Sequence, residues 1–404
     1  MSLRILYLGL LPPHPGGAPI SCAELLAGFA GQGLRVRALA PVTPDTWDEG
    51  EALARRYPQI QISRFVVPRY DIGPHQPADA DYRRQEREKI RAALPRLIEE
   101  ERPDIVLIGR ETFVWDAPDL AQAAGLPSVL MVRGGLTLAI LNGSYPQPLA
   151  GEALAQYRKT DLIITPARYL TAGLNRLGFR AVLTILNAVD LDRFAPGPKS
   201  ARLLAQLGLS SEDVIVLHAS NLKPMKRPLD IVTSAALALR QDPRLVYVIV
   251  GTGQTRPALE EACQRLGISE RFRFVGWAAY AQMPDYIRLA DIVVMPSEFE
   301  AQSRVYLETQ ACGRVLLASD VAGAQEVVAD GETGLLFRVG DVADLAAKTV
   351  RAAGDPQLRQ AIGCRARASV QKHAFPRAVA NYIAAMEAIV RRQGAAGPVS
   401  PSVS

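Results

Sequence analysis

The stretch Ala290-Asp291-Ile292-Val293-Val294-Met295-Pro296-Ser297 opens a segment in which fold and chemistry stand side by side. Its apolar run is short and is broken by Pro296 and Ser297. That is the pattern of a buried parallel strand delivering its C-terminal end to a loop. Glu300-Ala301-Gln302-Ser303-Arg304-Val305-Tyr306-Leu307-Glu308 follows, and Ala311-Cys312-Gly313 leads on to a second such run, Val315-Leu316-Leu317-Ala318-Ser319. Strand, loop, helix and strand in this order make a parallel α/β unit, and open sheets of this kind place their ligands in such loops. A helix start near Ser303 attracts phosphate through unpaired N–H groups and the macrodipole. Glu300 before it and Glu308 about two turns into it can accept hydrogen bonds from sugar hydroxyls at both ends of a diphosphate. On an ordinary helix two such carboxylates are a solvated face. Their place between two buried strands favours a nucleotide sugar instead.

Working outward, the same alternation of short apolar strands and amphipathic helices runs through the chain, so the fold class is α/β with parallel sheets. Strands are expected near Arg4–Leu8, Val36–Ala40, Ile62–Val66, Asp104–Ile108, Ser128–Val132, Asp161–Thr165 and Val182–Ile185. After Arg193-Phe194-Ala195-Pro196-Gly197-Pro198, which reads as a linker, they resume near Val214–His218, Val246–Val250, Arg273–Val275, Ile292–Met295, Val315–Ala318 and Gly334–Phe337. The longest helix of the first half falls within Asp79–Glu101, with Pro95 as a candidate break. A chain of 404 residues exceeds one core, so two domains are expected, 1–195 and 196–375. An amphipathic last helix, 376–392, returns to the first domain, and a Gly/Pro/Ser tail at 393–404 is expected to be disordered.

Composition excludes several classes. Apolar residues make up 49% and charged residues 22%, an ordinary globular balance. The net charge of +5 is modest, and basic and acidic residues are interleaved, as in Arg83-Arg84-Gln85-Glu86-Arg87-Glu88-Lys89. No nucleic-acid partner is expected. The surplus suits an anionic donor, or peripheral contact with the inner face of a membrane. Cys22, Cys263, Cys312 and Cys364 are scattered, with neither zinc spacing nor a disulfide framework. No apolar run approaches the ~20 residues of a membrane span, so a cytoplasmic location is expected.

Other loops carry candidate chemistry. Gly16 and Gly17 lie between the first strand and a helix near Ser21, where paired glycines let backbone approach a ligand. Ser220-Asn221-Leu222-Lys223-Pro224-Met225-Lys226-Arg227 follows the first strand of the second half, and a lysine there is a point charge able to neutralise a diphosphate. Gly251-Thr252-Gly253-Gln254-Thr255-Arg256 invites a dinucleotide reading, but Arg256 stands where the third glycine belongs. A tight turn is the better account. Val132-Arg133-Gly134-Gly135 ends a strand, and Arg133 cannot act as a base near neutral pH.

The two-glutamate stretch Glu300–Glu308, the Asp330-Gly331-Glu332-Thr333-Gly334-Leu335-Leu336-Phe337 segment and Ile185-Leu186-Asn187-Ala188-Val189-Asp190-Leu191-Asp192-Arg193-Phe194 resemble the retaining glycosyltransferases of family 4 over nearly the whole chain. The resemblance implies the GT-B architecture: two Rossmann-like, doubly wound parallel-sheet domains facing a cleft, the first for the acceptor and the second for the donor. It implies transfer of a sugar from a nucleotide diphosphate, UDP by family frequency, to a glycan, lipid-linked or small-molecule hydroxyl, without metal or other cofactor. Glu300, Lys226 and Arg133 are the implied catalytic group. Gly16, Gly17, Asn221, Lys226, Val275, Glu300, Ala301, Gln302, Ser303, Val305 and Glu308 form the implied donor site. Here Glu308 binds ribose hydroxyls, Glu300 the sugar hydroxyls, Lys226 the diphosphate, and Arg273–Trp277 cradles the base. Asn221 replaces the usual arginine, Arg133 a frequent histidine, and Ala301-Gln302-Ser303 a frequent Gly-Phe-Gly. The acceptor side is assigned to the loops Pro68–Pro77 and Leu136–Pro148. The departures also raise alternatives: a nucleotide-sugar-binding protein without turnover, or a GT-B phosphorylase or epimerase.

Overall fold

The computed structural model describes residues 2–14, 16–48, 55, 57–68 and 79–396. Apart from Pro68, the expected acceptor loop at 68–77 lies outside them. The chain divides into two compact units, Met1–Leu186 with Pro376–Ser404, and Asn187–Phe375.

The first unit holds a seven-stranded parallel sheet of β1 (Arg4–Leu8), β2 (Arg35–Val42), β3 (Gln61–Val66), β4 (Ile105–Ile108), β5 (Ser128–Met131), β6 (Leu162–Thr165) and β7 (Val182–Thr184), in the order β3-β2-β1-β4-β5-β6-β7. The second holds β8 (Val214–Ala219), β9 (Leu245–Val250), β10 (Phe272–Gly276), β11 (Ile292–Met295), β12 (Val315–Ser319) and β13 (Leu335–Phe337), in the order β10-β9-β8-β11-β12-β13. Each sheet grows outward in both directions from one central pair, β1/β4 or β8/β11. This is the doubly wound pattern whose loops part at the reversal and leave a crevice at the C-terminal strand ends.

Continuous apolar runs form these strands because both faces are covered. In β8, Ile215, Leu217 and Ala219 pack in one core cluster while Val214 and Val216 pack in the opposite one. The same split places Val293 and Met295 of β11 on one side and Ile292 and Val294 on the other. Cys22, Cys263 and Cys312 are buried free thiols; burial pushes Cys263 up to about 11 and Cys312 up to about 12. Among the described residues, no helix is long and apolar enough to cross a membrane.

Three expectations are corrected. Pro95 does not break its helix, which is continuous over Asp79–Glu101. Pro95 is exposed, and buried Ile90, Leu94 and Leu97 anchor the turns around it. The last helix spans Phe375–Ala396, so the first residues of the presumed tail are helical; residues 397–404 lie outside the described ones. This helix belongs to the first unit, where Tyr382 packs on Phe29 with ring centroids 6.1 Å apart.

The Pro/Gly stretch at 193–198 is no linker. The second unit begins at Asn187, and Phe194, fully buried, belongs to its core beside Tyr286, Tyr306 and Leu307. Truncating Phe194 to Ala is expected to lower unfolding free energy by about 3–5 kcal/mol, the range for a buried aromatic. A linker position gives a change within about 0.5 kcal/mol in the same urea titration.

Candidate active site

Lys226 and Glu300 stand on the loops after β8 and β11, the two strands at the reversal of the second sheet. Lys226 closes a short 3-10 turn, Pro224–Lys226, and its Nζ lies 2.5 Å from Glu300 Oε1. Ser297 Oγ donates to the same oxygen at 2.9 Å. The side chains are 21% and 9% exposed, so the pair is screened from bulk water yet open to it on the lysine side.

Each loop is braced from behind. On β8, His218 is buried, and its Nδ1 is 2.9 Å from Val294 O, which can only accept. The proton therefore sits on Nδ1, and Nε2 accepts from Ser220 Oγ at 2.7 Å. Burial lowers the His218 pKa to about 4, with nearby Lys226 adding to the effect and the Val294 hydrogen bond opposing it. At neutral pH this ring is an uncharged strut for the Lys226 loop. The Gly251–Gly253 turn supports that loop too: Leu222 N donates to Thr252 O at 2.9 Å, and Thr255 N to Leu222 O at 3.1 Å. A Cβ on Gly251, whose φ is 128°, would meet Ser220 O at 1.9 Å. The glycines of the would-be dinucleotide motif thus serve backbone-to-backbone packing. Beneath the other loop, a Cβ on Gly323 would sit 2.1 Å from Glu300 O and 2.7 Å from Ala301 O. Only a glycine lets the helix Ala322–Gln325 support the Glu300 turn so closely.

Ser303 is the N-cap of the helix Arg304–Ala311, with extended backbone (φ −68°, ψ 134°) and no side-chain cap. Ser200, Asp341 and Asp355 cap the helices Ala201–Leu207, Val342–Gly354 and Pro356–Ser369 with their own oxygens. The helix behind Glu300 has no such internal acceptor at its start, which leaves a place for an anion.

Glu308, expected about two turns in, lies four residues past Arg304, little more than one turn into that helix, and is 3% exposed. Tyr280 Oη donates to its Oε1 at 3.0 Å, and Arg304 Nε lies 3.4 Å from the same atom. Sequence reading singled out neither neighbour. The i,i+4 spacing of Arg304 and Glu308 was available as a signal; Tyr280 arrives from another segment and carried none. Val275 is a bulged residue, since pairing of β10 with β9 steps from Phe274↔Ile249 to Gly276↔Val250. A bulge frees backbone groups from the ladder, which fits a backbone contact to a base.

Gln302 is held by Asn187 through both its side chain and its backbone. Its Oε1 accepts from Asn187 N at 2.6 Å, and Asn187 Nδ2 donates to Gln302 O at 2.8 Å. Asn187 O lies 3.1 Å from His373 Nδ1, while Val189 N donates to His373 O and Phe375 N to Val189 O at 3.0 and 3.1 Å. The donor loop is thereby tied to both points where the chain passes between units. Arg227 is tied to Asp230 at 2.7 and 3.2 Å. Asn221 on the same loop is exposed, and Lys223 and Lys226 are partly buried.

In the first unit, Gly16 (φ 120°) is the N-cap of the helix Gly17–Gly31, which has no side-chain cap and no acidic residue in its first turn. Arg133, half-buried after β5, is directed inward, with Nη2 3.2 Å from Cys22 Sγ. Burial works against its charge, but the adjoining Cys22, Tyr382 and Tyr7 groups outweigh that and raise its pKa. Arg133 thus links the end of β5 to the helix Gly17–Gly31. Buried Glu111, also missed in the sequence, accepts from Thr137 N at 2.7 Å, Thr137 Oγ1 at 2.5 Å and Arg133 N at 3.2 Å. Its carboxylate fills the start of the helix Gly135–Leu141, which is thus closed to a foreign anion.

Two doubly wound sheets, with a lysine–glutamate pair and a helix start without a side-chain cap at the reversal of the second, define a two-unit parallel α/β protein with a candidate anion site. The glycosyl transferases group 1 model matches residues 200–369 and the Glycosyltransferase Family 4 model residues 15–193. The chain belongs to glycosyltransferase family 4. The D-inositol 3-phosphate glycosyltransferase of Geodermatophilus obscurus is 34% identical over 296 residues, 70% of this chain and 64% of that protein. Its namesake in Nocardia farcinica is 39% identical over 184 residues, 44% and 41% of the two chains. The matched stretch spans from 41% to 64% of these relatives' length. Among solved structures, HepE of Anabaena in complex with UDP and glucose superposes with a TM-score of 0.76 at 21% identity, covering 96% of this chain and 99% of that one. Sucrose-phosphate synthase from Thermosynechococcus elongatus gives 0.79 at 22% identity, covering 98% and 100%. The fold is GT-B.

Replacing Gly323 by Ala forces the Glu300 turn off its support, an overpacking cost of about 1–3 kcal/mol. If that turn forms the site, UDP affinity measured by calorimetry falls by about tenfold or more. Unchanged affinity contradicts the assignment of this loop to the site.

Proposed function

We propose that this protein transfers a sugar from a nucleotide-diphosphate sugar, a UDP-sugar, to a hydroxyl acceptor with retention of anomeric configuration. The observation that carries the reading is the Lys226–Glu300 pair at 2.5 Å beside a helix start that has no cap of its own. A diphosphate at that start meets the N–H groups of the first turn and the Lys226 ammonium, which then exchanges Glu300 for phosphate. Glu300, held by Ser297, turns to the sugar hydroxyls, and Glu308 accepts from the ribose. Neither glutamate is then a nucleophile, so the double-displacement route of retaining glycosidases does not apply. The acceptor hydroxyl attacks from the face the diphosphate leaves, and its proton passes to the departing phosphate oxygen. Positioning and stabilisation of the leaving charge supply the catalysis, and Lys226 does so without a metal.

UDP as donor is supported by the HepE complex, whose ligands include UDP. The names of the matched relatives make a phosphorylated inositol the first acceptor to test, ahead of glycans, lipid-linked saccharides and other small glycosides. Buried free thiols suit a reducing cytoplasm, and the net charge of +5 suits peripheral contact with an anionic membrane.

The test is turnover with a competent donor. Lys226→Ala and Glu308→Ala each lower kcat/KM by about 2–4 kcal/mol in transition-state terms, as lost oxyanion donors do, and EDTA leaves the wild-type rate unchanged. Wild-type kcat/KM in both variants contradicts the site. Tight UDP binding without transfer to any acceptor identifies a binding protein instead, and phosphate-dependent release of the sugar a phosphorylase.

A further inference from the structure

The backbone around Lys226 is fixed on both sides of the lysine. On one side Glu298 N donates to Met225 O at 2.9 Å, a main-chain bond between the Lys226 and Glu300 loops. On the other stands Arg227, whose backbone is left-handed (φ 46°, ψ 44°). Among the described residues, Arg102 and Arg227 are the non-glycines with positive φ. Arg102 follows the helix Asp79–Glu101, an ordinary place for that conformation. Arg227 instead joins the turn ending at Lys226 to the helix Pro228–Ala238. A proline pushes the residue before it toward extended backbone, so Arg227 departs from local preference on two counts. Contacts from its surroundings impose the conformation. Arg227 N donates to Pro224 O at 2.8 Å, and Asp230 N to Arg227 O at 3.0 Å. The guanidinium holds both carboxylate oxygens of Asp230. It also lies against Gly340, where a Cβ would stand 3.0 Å from Arg227 Nη2.

We infer that Arg227 is a positioning residue: its left-handed backbone, locked by Asp230, aims Lys226 at the phosphates. This rests on the proposed donor site, in which the Lys226 ammonium meets the diphosphate. Were residue 227 to relax to the extended backbone that its proline favours, the turn Pro224–Lys226 would rotate against the helix Pro228–Ala238. The ammonium would then leave its place beside Glu300. The Glu298–Met225 bond resists that rotation from the residue before the lysine, and the left-handed residue resists it from the one after. Disfavoured backbone at a functional site persists only where surrounding contacts over-determine it. The paired bonds to Asp230 and the two main-chain bonds supply that constraint here. If the left-handed form were populated only part of the time, apparent UDP affinity would fall in proportion to that fraction.

The alternatives are that Arg227 meets the phosphates through its charge, or that it only stabilises the fold. Calorimetric titration of the full chain with UDP separates them, using Arg227→Gly, Arg227→Ala and Arg227→Val. All three lack the guanidinium, and they differ in tolerance of left-handed backbone, which glycine adopts freely and a β-branched residue resists most. The expected order of affinity is Gly, then Ala, then Val, with Val about tenfold or more weaker than Gly. Should Val prevent folding, Ala carries the comparison, about threefold or more weaker than Gly. An equal loss in all the variants points to the charge and overturns the inference. So does wild-type affinity in variants whose thermal midpoints differ, the mark of a role in the fold alone. In either case a loss of about tenfold or more in Lys226→Ala shows that the donor site stands. If the wild type does not bind UDP, the donor-site reading falls and this inference with it.

Discussion

A lysine and a glutamate, Lys226 and Glu300, meet across the point where the second sheet reverses its strand order, and the rest of the site is arranged around that contact. Burying part of an ion pair is a poor way to gain stability, because desolvation offsets much of the attraction. Yet the fold supports this pair at some length. A neutral histidine holds Ser220, the Gly251 turn backs the Lys226 loop, and Gly323 admits the Glu300 loop at a distance no other residue allows. Such support makes sense where the two charges must be presented to a ligand rather than to each other.

The same loop is tied to the chain crossings. Gln302 receives Asn187, the first residue of the second unit, and His373 donates to the carbonyl of Asn187 near the return to the first. The Gln302 side chain thus holds the backbone at the first crossing. A loop anchored in this way has little freedom to rearrange without moving the crossings. The first unit treats a comparable position in another way: Glu111 fills the start of the helix Gly135–Leu141 with an internal carboxylate.

Much of this was legible in the chain. Runs such as Ile292–Met295 and Val315–Ser319 are apolar on both faces because the sheets are covered on both, so strand positions could be read within a residue or so. Lys226 and Glu300 could be placed because each follows such a strand. What stayed hidden depends on contacts between distant segments. Nothing local marks Tyr280 as the partner of Glu308, or Glu111 as the acceptor for Thr137. Phe194 sits among prolines and glycines that read as a linker, and only the core it fills shows otherwise. Pro95 carries the signature of a helix break, but the buried leucines on either side of it outweigh the lost hydrogen bond.

The central claim is that a diphosphate displaces Glu300 from Lys226. A crystal structure of the protein with UDP tests it most directly. The account predicts phosphate oxygens about 3 Å from Lys226 Nζ and from backbone N–H groups at the start of the Arg304–Ala311 helix, with the lysine–glutamate contact opened from its present 2.5 Å. UDP bound elsewhere, with that contact intact and the helix start vacant, would contradict it.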